Sequence, residues 1–303
     1  MKVLMTGATG LVGTALAASL RADGHAVCRL LRKKDADEQA ARAGCDIVWE
    51  PNSGEFGAQA EGSDAVVNLA GASIADGRWT DDRKEVLRKS RVDTTRALVA
   101  AMERMSPRPR VLVSASATGI YGNRGDELLT EECSSRTDFL SRLAEEWEEE
   151  ALRARSLGVR VVLSRFGVIL AKNGGALPAM MAPFKIGAGA KLGSGKQWIS
   201  WVALDDVVRA LRFALAQDHV SGPINVVAPQ PVTNAEFTRV LAETMHRPAF
   251  FTVPPFVLRL LLGEMADTML LASQRAVPRV LLESGYQFLY TDVGAALTAI
   301  LNS

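Results

Sequence analysis

The stretch that decides the fold reads Thr6-Gly7-Ala8-Thr9-Gly10-Leu11-Val12-Gly13 and directly follows the apolar run Val3-Leu4-Met5. This order predicts a β-strand, a glycine-rich turn and then a helix. Such a turn directs backbone N–H groups and a helix N-terminus at one point, which suits a pyrophosphate. The spacing Gly7-x-x-Gly10-x-x-Gly13 differs from the usual G-x-G-x-x-G fingerprint of dinucleotide-binding proteins. The alternative is a glycine-rich loop that only turns the chain.

Downstream of this turn, apolar strand segments alternate with helical segments. The strand-like runs cover residues 26–31, 46–49, 65–72, 110–116, 159–167 and 223–227. Alternating strands and helices predict an α/β, Rossmann-type doubly wound parallel sheet, in which ligands bind at the carboxyl ends of the strands. We expect residues 1–170, with 200–228 returning to it, to form the nucleotide-binding domain. Residues 171–199 and 229–303 should form a smaller, mostly helical substrate domain.

Composition narrows the class of protein further. The chain has 303 residues and a net charge of +1 without a basic block, which argues against nucleic-acid binding. No apolar run is long enough to span a bilayer, so we expect no membrane partner. The scattered Cys28, Cys45 and Cys133 predict no disulfide, and the isolated histidines predict no metal site. A reduced, cytoplasmic monomer or homodimer is the simplest interpretation.

The end of the second predicted strand carries a clue to the cofactor. Arg32, Lys33 and Lys34 follow the strand, and the first acid, Asp35, lies in the polar loop beyond. At this position an acid binds the ribose 2′-OH of NAD, whereas a base accommodates the 2′-phosphate of NADP. The sequence therefore favours NADP(H). The alternative is a solvated basic turn.

Several motifs together resemble the extended short-chain dehydrogenase/reductase superfamily. More narrowly, the chain is similar over its full length to the atypical branch of sugar nucleotide epimerase-like proteins. The motifs that carry this resemblance are Thr6–Gly13, Asn68-Leu69-Ala70-Gly71, Gly77-Arg78-Trp79-Thr80, Ser90-Arg91-Val92, Ser114-Ala115-Ser116 before Tyr121-Gly122, Gly193–Trp201, Leu204-Asp205-Asp206-Val207, Leu262–Met265 and Ser273–Pro278.

The resemblance implies a Rossmann domain that binds NADP(H) and a small C-terminal domain for a small-molecule substrate. It places the phosphate turn at Gly7, Thr9, Gly10, Leu11 and Val12. It also implies that Arg32 selects NADP and that the strand end Leu69, Ala70 and Gly71 lies along the cofactor. Ser114 and Arg91 are further cofactor-binding candidates, although extended members usually place an asparagine in the part of the helix where Arg91 lies.

The chemistry of this superfamily depends on a Tyr-x-x-x-Lys pair on one face of a helix, where the lysine lowers the tyrosine pKa. In this chain Phe139 best matches the tyrosine position and Leu143 the lysine position. Phenylalanine donates no proton and leucine carries no charge. The usual proton relay is therefore missing at these positions.

Other polar residues near the expected site each allow two interpretations. Ser116 matches the superfamily's substrate-orienting hydroxyl or satisfies a local backbone group. Tyr121 is either a packed structural tyrosine or a substitute proton donor. Arg91 either offers its guanidinium to an anionic substrate or cofactor, or bridges two helices. The acidic run from Glu145 to Glu150 is expected to be a solvated helical face.

Two functions remain open from the sequence. The first is an NADP-dependent oxidoreductase or epimerase-like enzyme with a non-standard proton relay, in which Ser116 and Tyr121 are the catalytic candidates. The second is a non-catalytic NADP(H)-binding sensor or scaffold. Retained Ser116 and the substrate-type C-terminal domain favour the first, and the missing pair favours the second.

Overall fold

The computed structural model describes residues 1–32, 45–51 and 56–302. Its strands are β1 (Lys2–Thr6), β2 (Ala26–Leu31), β3 (Cys45–Val48), β4 (Ala65–Asn68), β5 (Val111–Ala117), β6 (Leu128–Leu129), β7 (Arg160–Phe166), β8 (Val168–Ala171), β9 (Gly174–Gly175), β10 (Ala190–Leu192), β11 (Trp198–Ile199), β12 (Trp201–Ala203), β13 (Gly222–Val226), β14 (Val232–Thr233), β15 (Phe251–Val253) and β16 (Arg275–Ala276).

The helices are α1 (Leu11–Ala22), α2 (Asp81–Arg88), α3 (Thr94–Glu103), α4 (Phe139–Leu152), α5 (Leu177–Lys185), α6 (Leu204–Ala216), α7 (Asn234–Met245), α8 (Pro255–Leu262), α9 (Arg279–Glu283) and α10 (Val293–Asn302). The 3₁₀ segments cover Ala58–Ala60, Thr118–Tyr121 and Arg153–Leu157, and π-helical segments cover Lys89–Asp93 and Ala266–Leu270.

Seven strands form one parallel sheet in the order β13-β7-β5-β4-β1-β2-β3. Along β1, Val3 and Met5 face one hydrophobic core and Leu4 faces the other. This alternation buries the strand on both faces, as expected of a parallel sheet covered by helices. The predicted doubly wound fold is confirmed. Strand order reverses between β1 and β4, which opens a crevice at their carboxyl ends.

Helix α2 starts at Asp81, where the Thr80 side chain accepts a hydrogen bond from the Arg83 N–H (3.2 Å) and caps the first turn. It is then interrupted by the π-helical turn Lys89–Asp93. A π-turn inserts an extra residue and rotates the side chains that follow it.

A third hydrophobic core lies beyond the sheet. Trp201 of β12, Leu177 of α5, Phe237 of α7 and Leu297 of α10 are all buried in it. The part of the chain after residue 170 therefore has an apolar core of its own. The domain boundaries stated above remain a prediction.

Asp206 of α6 holds a segment of the C-terminal region in place. Its carboxylate is fully buried and accepts hydrogen bonds from the backbone N–H groups of Leu289 (2.7 Å) and Tyr290 (2.9 Å). A buried carboxylate needs such donors to replace its hydration. Asp206 thus holds the segment before α10 against the N-terminus of α6.

Within the described ranges, the structure contains no helix that is long and apolar enough to cross a membrane.

The expectation of three free thiols is wrong in the structure. Cys28 of β2 and Cys45 of β3 are partners in the parallel register and are joined by a disulfide. Only Cys133 is free among the described cysteines. Seventeen residues separate the bonded pair in sequence, so their spacing gave no sign of the contact that strand pairing creates. Lys33 and Lys34 lie outside the described residues.

This disulfide predicts the thiol content of the protein. Protein unfolded without a reductant should present one reactive thiol per chain, Cys133, to a thiol reagent such as DTNB. After reduction it should present three. The variant Cys133→Ser should give none before reduction. Exchange is prevented by unfolding and alkylating the protein at lysis, and three alkylated cysteines in the mass of such unreduced protein would contradict the pairing.

Candidate functional site

A cavity of about 640 Å³ lies at the carboxyl edge of the sheet, where the strand order reverses. Its walls come from the phosphate turn, the chain after β4, the end of β5, helix α4, the start of β8 and the C-terminal region. The described residues that line it are Gly7, Gly10–Gly13, Leu69–Ala75, Arg91, Ala115–Gly119, Leu140, Leu143, Ala144, Trp147, Phe166–Ile169, Gly175, Ala176, Thr268, Met269 and Gln274.

Two glycines of the turn permit a close approach of backbones. Gly7 has φ +64°, and a Cβ there would lie 2.3 Å from the carbonyl oxygen of Leu69. A Cβ at Gly13 would lie 2.2 Å from the carbonyl oxygen of Gly7. Both contacts are far too short for any side chain. The turn is therefore pressed against the end of β4, and α1 is pressed against the turn.

The N-terminus of α1 faces this cavity without a side-chain cap. Gly10 is the N-cap residue and has no side chain to bond the first-turn N–H groups. A Cβ at Gly10 would meet only the Gly7 carbonyl, at 3.3 Å, so the space above the turn is open. Uncapped N–H groups and the helix dipole together make an anion site.

Arg91 is a buried cation on the opposite wall. Its Nη2 donates to the Ala72 carbonyl (2.9 Å), its Nη1 donates to the Leu87 carbonyl (3.2 Å), and its guanidinium lies 5.4 Å from the Trp147 ring centroid. Among the described residues no carboxylate lies within salt-bridge distance of it. Burial lowers the pKa of Arg91 to about 10, and the charge of Arg83 acts in the same direction. Arg91 thus stays protonated at neutral pH.

The π-helical turn explains how Arg91 reaches the cavity. Arg91 lies inside Lys89–Asp93 and is 8% exposed. A Cβ at Gly71 would lie 3.1 Å from the Arg91 Cζ, so the guanidinium stacks directly on the strand-end backbone. The bridging and ligand-binding interpretations are both compatible with this position, since the guanidinium contacts α2 and faces the cavity.

Three of the predicted cofactor residues lie outside the cavity lining. Thr9 is exposed at the turn, and Arg32 is exposed directly after β2. Ser114 is fully buried beneath the cavity, where its Oγ accepts a hydrogen bond from Asn68 Nδ2 (3.1 Å). Asn68 in turn accepts from Thr6 Oγ1 (2.7 Å). Ser114 therefore joins β4 to β5 rather than contacting a ligand.

The two positions of the missing pair are packed apolar sites. Leu143 is buried and lines the cavity floor. Phe139 packs against Trp79, with ring centroids 5.3 Å apart, and lies outside the cavity lining. Neither position leaves space for a proton relay through its own side chain.

Ser116 lines the cavity, but its hydroxyl already donates its hydrogen bond to a neighbouring carboxylate. Ser116 Oγ donates to Glu148 Oε1 (2.6 Å), and Glu148 is held by two hydrogen bonds from Arg165, each 2.8 Å. Both charged residues are more than nine-tenths buried. Burial alone would lower the pKa of Arg165, but its hydrogen bonds to Glu148 and the charge of Glu148 raise it above the ordinary value.

The expectation of a fully solvated acidic run is wrong for two of its members. Glu148 and Glu150 are 7% and 4% exposed. Glu150 accepts from Arg96 Nη2 (2.7 Å) on α3. Helical periodicity turns these two carboxylates toward neighbouring elements, and only the arginines there make their burial tolerable.

The catalytic role considered for Tyr121 does not fit its position. Tyr121 is fully buried outside the cavity lining. Its hydroxyl donates to Asn225 Oδ1 (2.7 Å) and accepts from Arg165 Nη1 (2.9 Å). Burial raises the pKa of Tyr121 to about 12. The structural interpretation explains these contacts.

The polar residues on the C-terminal wall carry no recognisable sequence pattern. Thr268 and Gln274 line the cavity together with Thr118, although Gln274 is 156 positions from Thr118 in sequence. Thr118 Oγ1 donates to Gln274 Oε1 (3.0 Å). The motif Ser273–Pro278 marked the segment, but not which of its side chains faces the cavity.

The fold and the cavity define a class: a doubly wound α/β protein with a phosphate-type turn at its topological switch point. The sequence profile of the NAD dependent epimerase/dehydratase family matches residues 3–227. The chain belongs to this family, which confirms the resemblance seen in the sequence. A domain of unknown function, DUF1731, matches residues 253–300.

Three proteins illustrate the similarity. An epimerase family protein of Mycobacterium bovis is 44% identical over 296 residues, 97% of this chain and 96% of its own. The crystal structure of the human epimerase family protein SDR39U1 with NADPH is 34% identical, covers 100% of both chains and gives a TM-score of 0.90. A Corynebacterium glutamicum structure described as a nucleoside-diphosphate sugar epimerase is 37% identical, covering 99% of this chain and 58% of its own, with a TM-score of 0.80.

The Arg165–Glu148 pair predicts a large and specific loss of stability. Glu148→Ala should lower the free energy of unfolding by about 3 to 5 kcal/mol, because it leaves the Arg165 charge buried without a partner. Urea unfolding followed by circular dichroism measures this change. The adjacent Glu149 is exposed, so Glu149→Ala should change stability by less than about 0.5 kcal/mol. Equal effects of the two variants would refute the role assigned to the pair.

Proposed function

We propose that this protein binds NADP(H) in the cavity and acts on a small molecule as an oxidoreductase or epimerase-like enzyme. One observation carries the proposal: the uncapped N-terminus of α1 and the buried cation Arg91, without a carboxylate partner among the described residues, line the same cavity. The partial positive charge of the helix N-terminus and the guanidinium charge both face the cavity, which suits an anionic dinucleotide. The NADPH in the human relative's structure supports the same cofactor.

The residues of the cavity fit the parts of a dinucleotide. The backbone N–H groups of Leu11 and Val12 would hold the pyrophosphate over Gly10. Leu69, Ala70 and Gly71 would lie along the cofactor, and the Arg91 guanidinium would donate to its oxygen atoms. Arg32 follows β2, the strand next to β1, and its guanidinium would pair with the 2′-phosphate.

The proton chemistry of this site would differ from that of Tyr-x-x-x-Lys enzymes. When bound, the nicotinamide supplies hydride transfer. Ser116 is the cavity hydroxyl closest in role to the superfamily's substrate-orienting serine, and its donor is committed to Glu148. Toward a ligand it therefore offers lone pairs. With Tyr121 buried elsewhere, the proton would come from solvent.

A second candidate function is a non-catalytic NADP(H)-binding sensor or scaffold. The observation in its favour is the apolar packing at Phe139 and Leu143. The two candidates share the cofactor site and differ in turnover. Nicotinamide oxidation by a carbonyl substrate, lowered by Ser116→Ala, would favour the enzyme.

The choice of cofactor is tested at Arg32. Wild-type protein should bind NADPH more tightly than NADH in a fluorescence titration, because an exposed base after β2 can pair with the 2′-phosphate. Arg32→Ala should weaken NADPH binding about tenfold, as expected for one charge-assisted hydrogen bond. NADH affinity should stay unchanged, which serves as the internal control. Equal affinities for the two nucleotides in the wild type would overturn the preference.

The role of Arg91 is tested by removing its charge. Arg91→Met should weaken binding of NADPH by about ten- to a hundredfold, because a buried charge-assisted contact contributes about 1.5 to 3 kcal/mol. Lys89→Met, on the same π-turn but exposed, is the matched control and should bind normally. Unchanged affinity in Arg91→Met, with the fold intact by circular dichroism, would leave Arg91 with the helix-bridging role alone.

A further inference from the structure

The cavity holds very little charge. Arg91 is the one charged side chain among the described residues that line it, and no acid lines it. Arg91 also lies on the cofactor half, stacked between Gly71 and Trp147. The half of the cavity formed by Thr118, Thr268, Met269 and Gln274 is neutral.

The side chain of Gln274 is held in a defined orientation. Its backbone is fixed on both sides, since its N–H donates to the Trp198 carbonyl (3.2 Å) and its carbonyl accepts from Ser200 Oγ (2.6 Å). Its side-chain oxygen accepts from Thr118 Oγ1 (3.0 Å). The Nε2 group forms no hydrogen bond within the described part of the chain. It is therefore left as a donor on the cavity wall.

We propose that the substrate half of this cavity binds a small uncharged molecule through a carbonyl or hydroxyl oxygen, with Gln274 Nε2 as the donor to that oxygen. This inference rests on the proposed NADP(H) site. It makes Gln274 a substrate-positioning residue delivered by the C-terminal region. It also excludes nucleoside-diphosphate sugars as the substrate class.

Electrostatics is the first reason for this exclusion. A diphosphate brings negative charge that must leave water, and the cost is large unless cations or helix N-termini replace its hydration. The neutral half offers no such cation. Two further helices begin near the cavity. The N-terminus of α4 is already capped by the Asp138 carboxylate, which accepts a hydrogen bond from the Ser141 N–H (3.1 Å), and the residues before α5 pack on Leu11 of the phosphate turn. That helix end therefore belongs to the cofactor half.

Size is the second reason. The cavity volume of about 640 Å³ is ordinary for a single ligand pocket of about 300 to 1,000 Å³. A dinucleotide and its substrate must share it. Only a part of this volume is therefore left for the substrate, which favours a small molecule.

The hydrogen-bonding groups point to an oxygen on that molecule. Gln274 Nε2 offers a donor, whereas Ser116 Oγ, whose hydrogen is bound to Glu148, offers an acceptor. A hydroxyl uses both groups and a carbonyl uses the donor. An uncharged ligand with such an oxygen forms hydrogen bonds with these groups, and no charge has to be desolvated.

Binding is measured on protein saturated with NADP⁺, by calorimetry and by ligand-observed NMR. The probes are benzaldehyde and cyclohexanone as uncharged carbonyl compounds, and UDP-glucose as the nucleoside-diphosphate sugar. At least one carbonyl probe should bind saturably, and UDP-glucose should not. Saturable binding of UDP-glucose to the loaded protein, or no binding of either carbonyl probe, overturns the proposal.

The role of Gln274 is tested with matched variants. Gln274→Ala should weaken binding of the carbonyl probe about three- to tenfold, as for the loss of one neutral hydrogen bond. Gln230 is exposed and outside the cavity lining, and Gln230→Ala should have no effect. Thr118→Val removes the donor that orients the amide and should give an intermediate loss. Equal probe affinities in the two glutamine variants overturn the role of Gln274.

A separate titration keeps this inference apart from the proposed function. NADPH affinity should be the same in wild type, Gln274→Ala and Gln230→Ala, because Gln274 lies on the substrate half. If the wild type fails to bind NADPH, the proposed function fails and the inference fails with it. If NADPH binds normally but UDP-glucose binds to the loaded protein, or neither carbonyl probe binds, the inference alone fails.

Discussion

The organisation of this site depends on one buried ion pair, Arg165 with Glu148. It joins the end of β7 to α4, and the same two side chains hold Ser116 and Tyr121. The two opposite charges neutralise each other, and neither side chain lines the cavity. A buried pair of this kind adds little to stability compared with apolar packing, but loss of one partner is costly. Its effect is to fix the carboxyl ends of β5 and β7, on which the cavity is built.

The distribution of charge around the cavity follows from this arrangement. Two buried carboxylates of α4 are paired with arginines, Glu148 with Arg165 and Glu150 with Arg96. Arg91 has no carboxylate partner among the described residues, and its guanidinium contacts carbonyl oxygens and an aromatic ring. The phosphate turn adds uncapped N–H groups. The cavity therefore has one electropositive half and one neutral half, and this division underlies both the cofactor and the substrate that we propose.

The apolar residues at the Tyr-x-x-x-Lys positions also keep further charge out of the cavity. Leu143 and Trp147 form the floor of the cavity, and Trp147 Nε1 donates to Thr95 Oγ1 (2.9 Å) instead of to a ligand. A lysine at Leu143 would place a second cation close to Arg91 in a buried site, at a large electrostatic cost. The uncharged leucine at this position avoids that cost. The Tyr-x-x-x-Lys pair of the superfamily and the apolar side chains found here would occupy the same space in the cavity.

Local pattern was enough to predict the sheet, its glycine turn and the strand ends, because backbone geometry and the alternation of apolar segments depend on neighbouring residues. Thus Gly7, Gly10, Leu11 and Leu69–Gly71 line the cavity as expected, and Phe139 and Leu143 are visible as substitutions in the chain alone. Contacts between distant segments were beyond such reasoning. Only tertiary packing placed Arg165 against Glu148, Cys45 beside Cys28 and Gln274 beside Thr118. Burial and charge pairing are decided by which elements meet, and the sequence by itself does not state that.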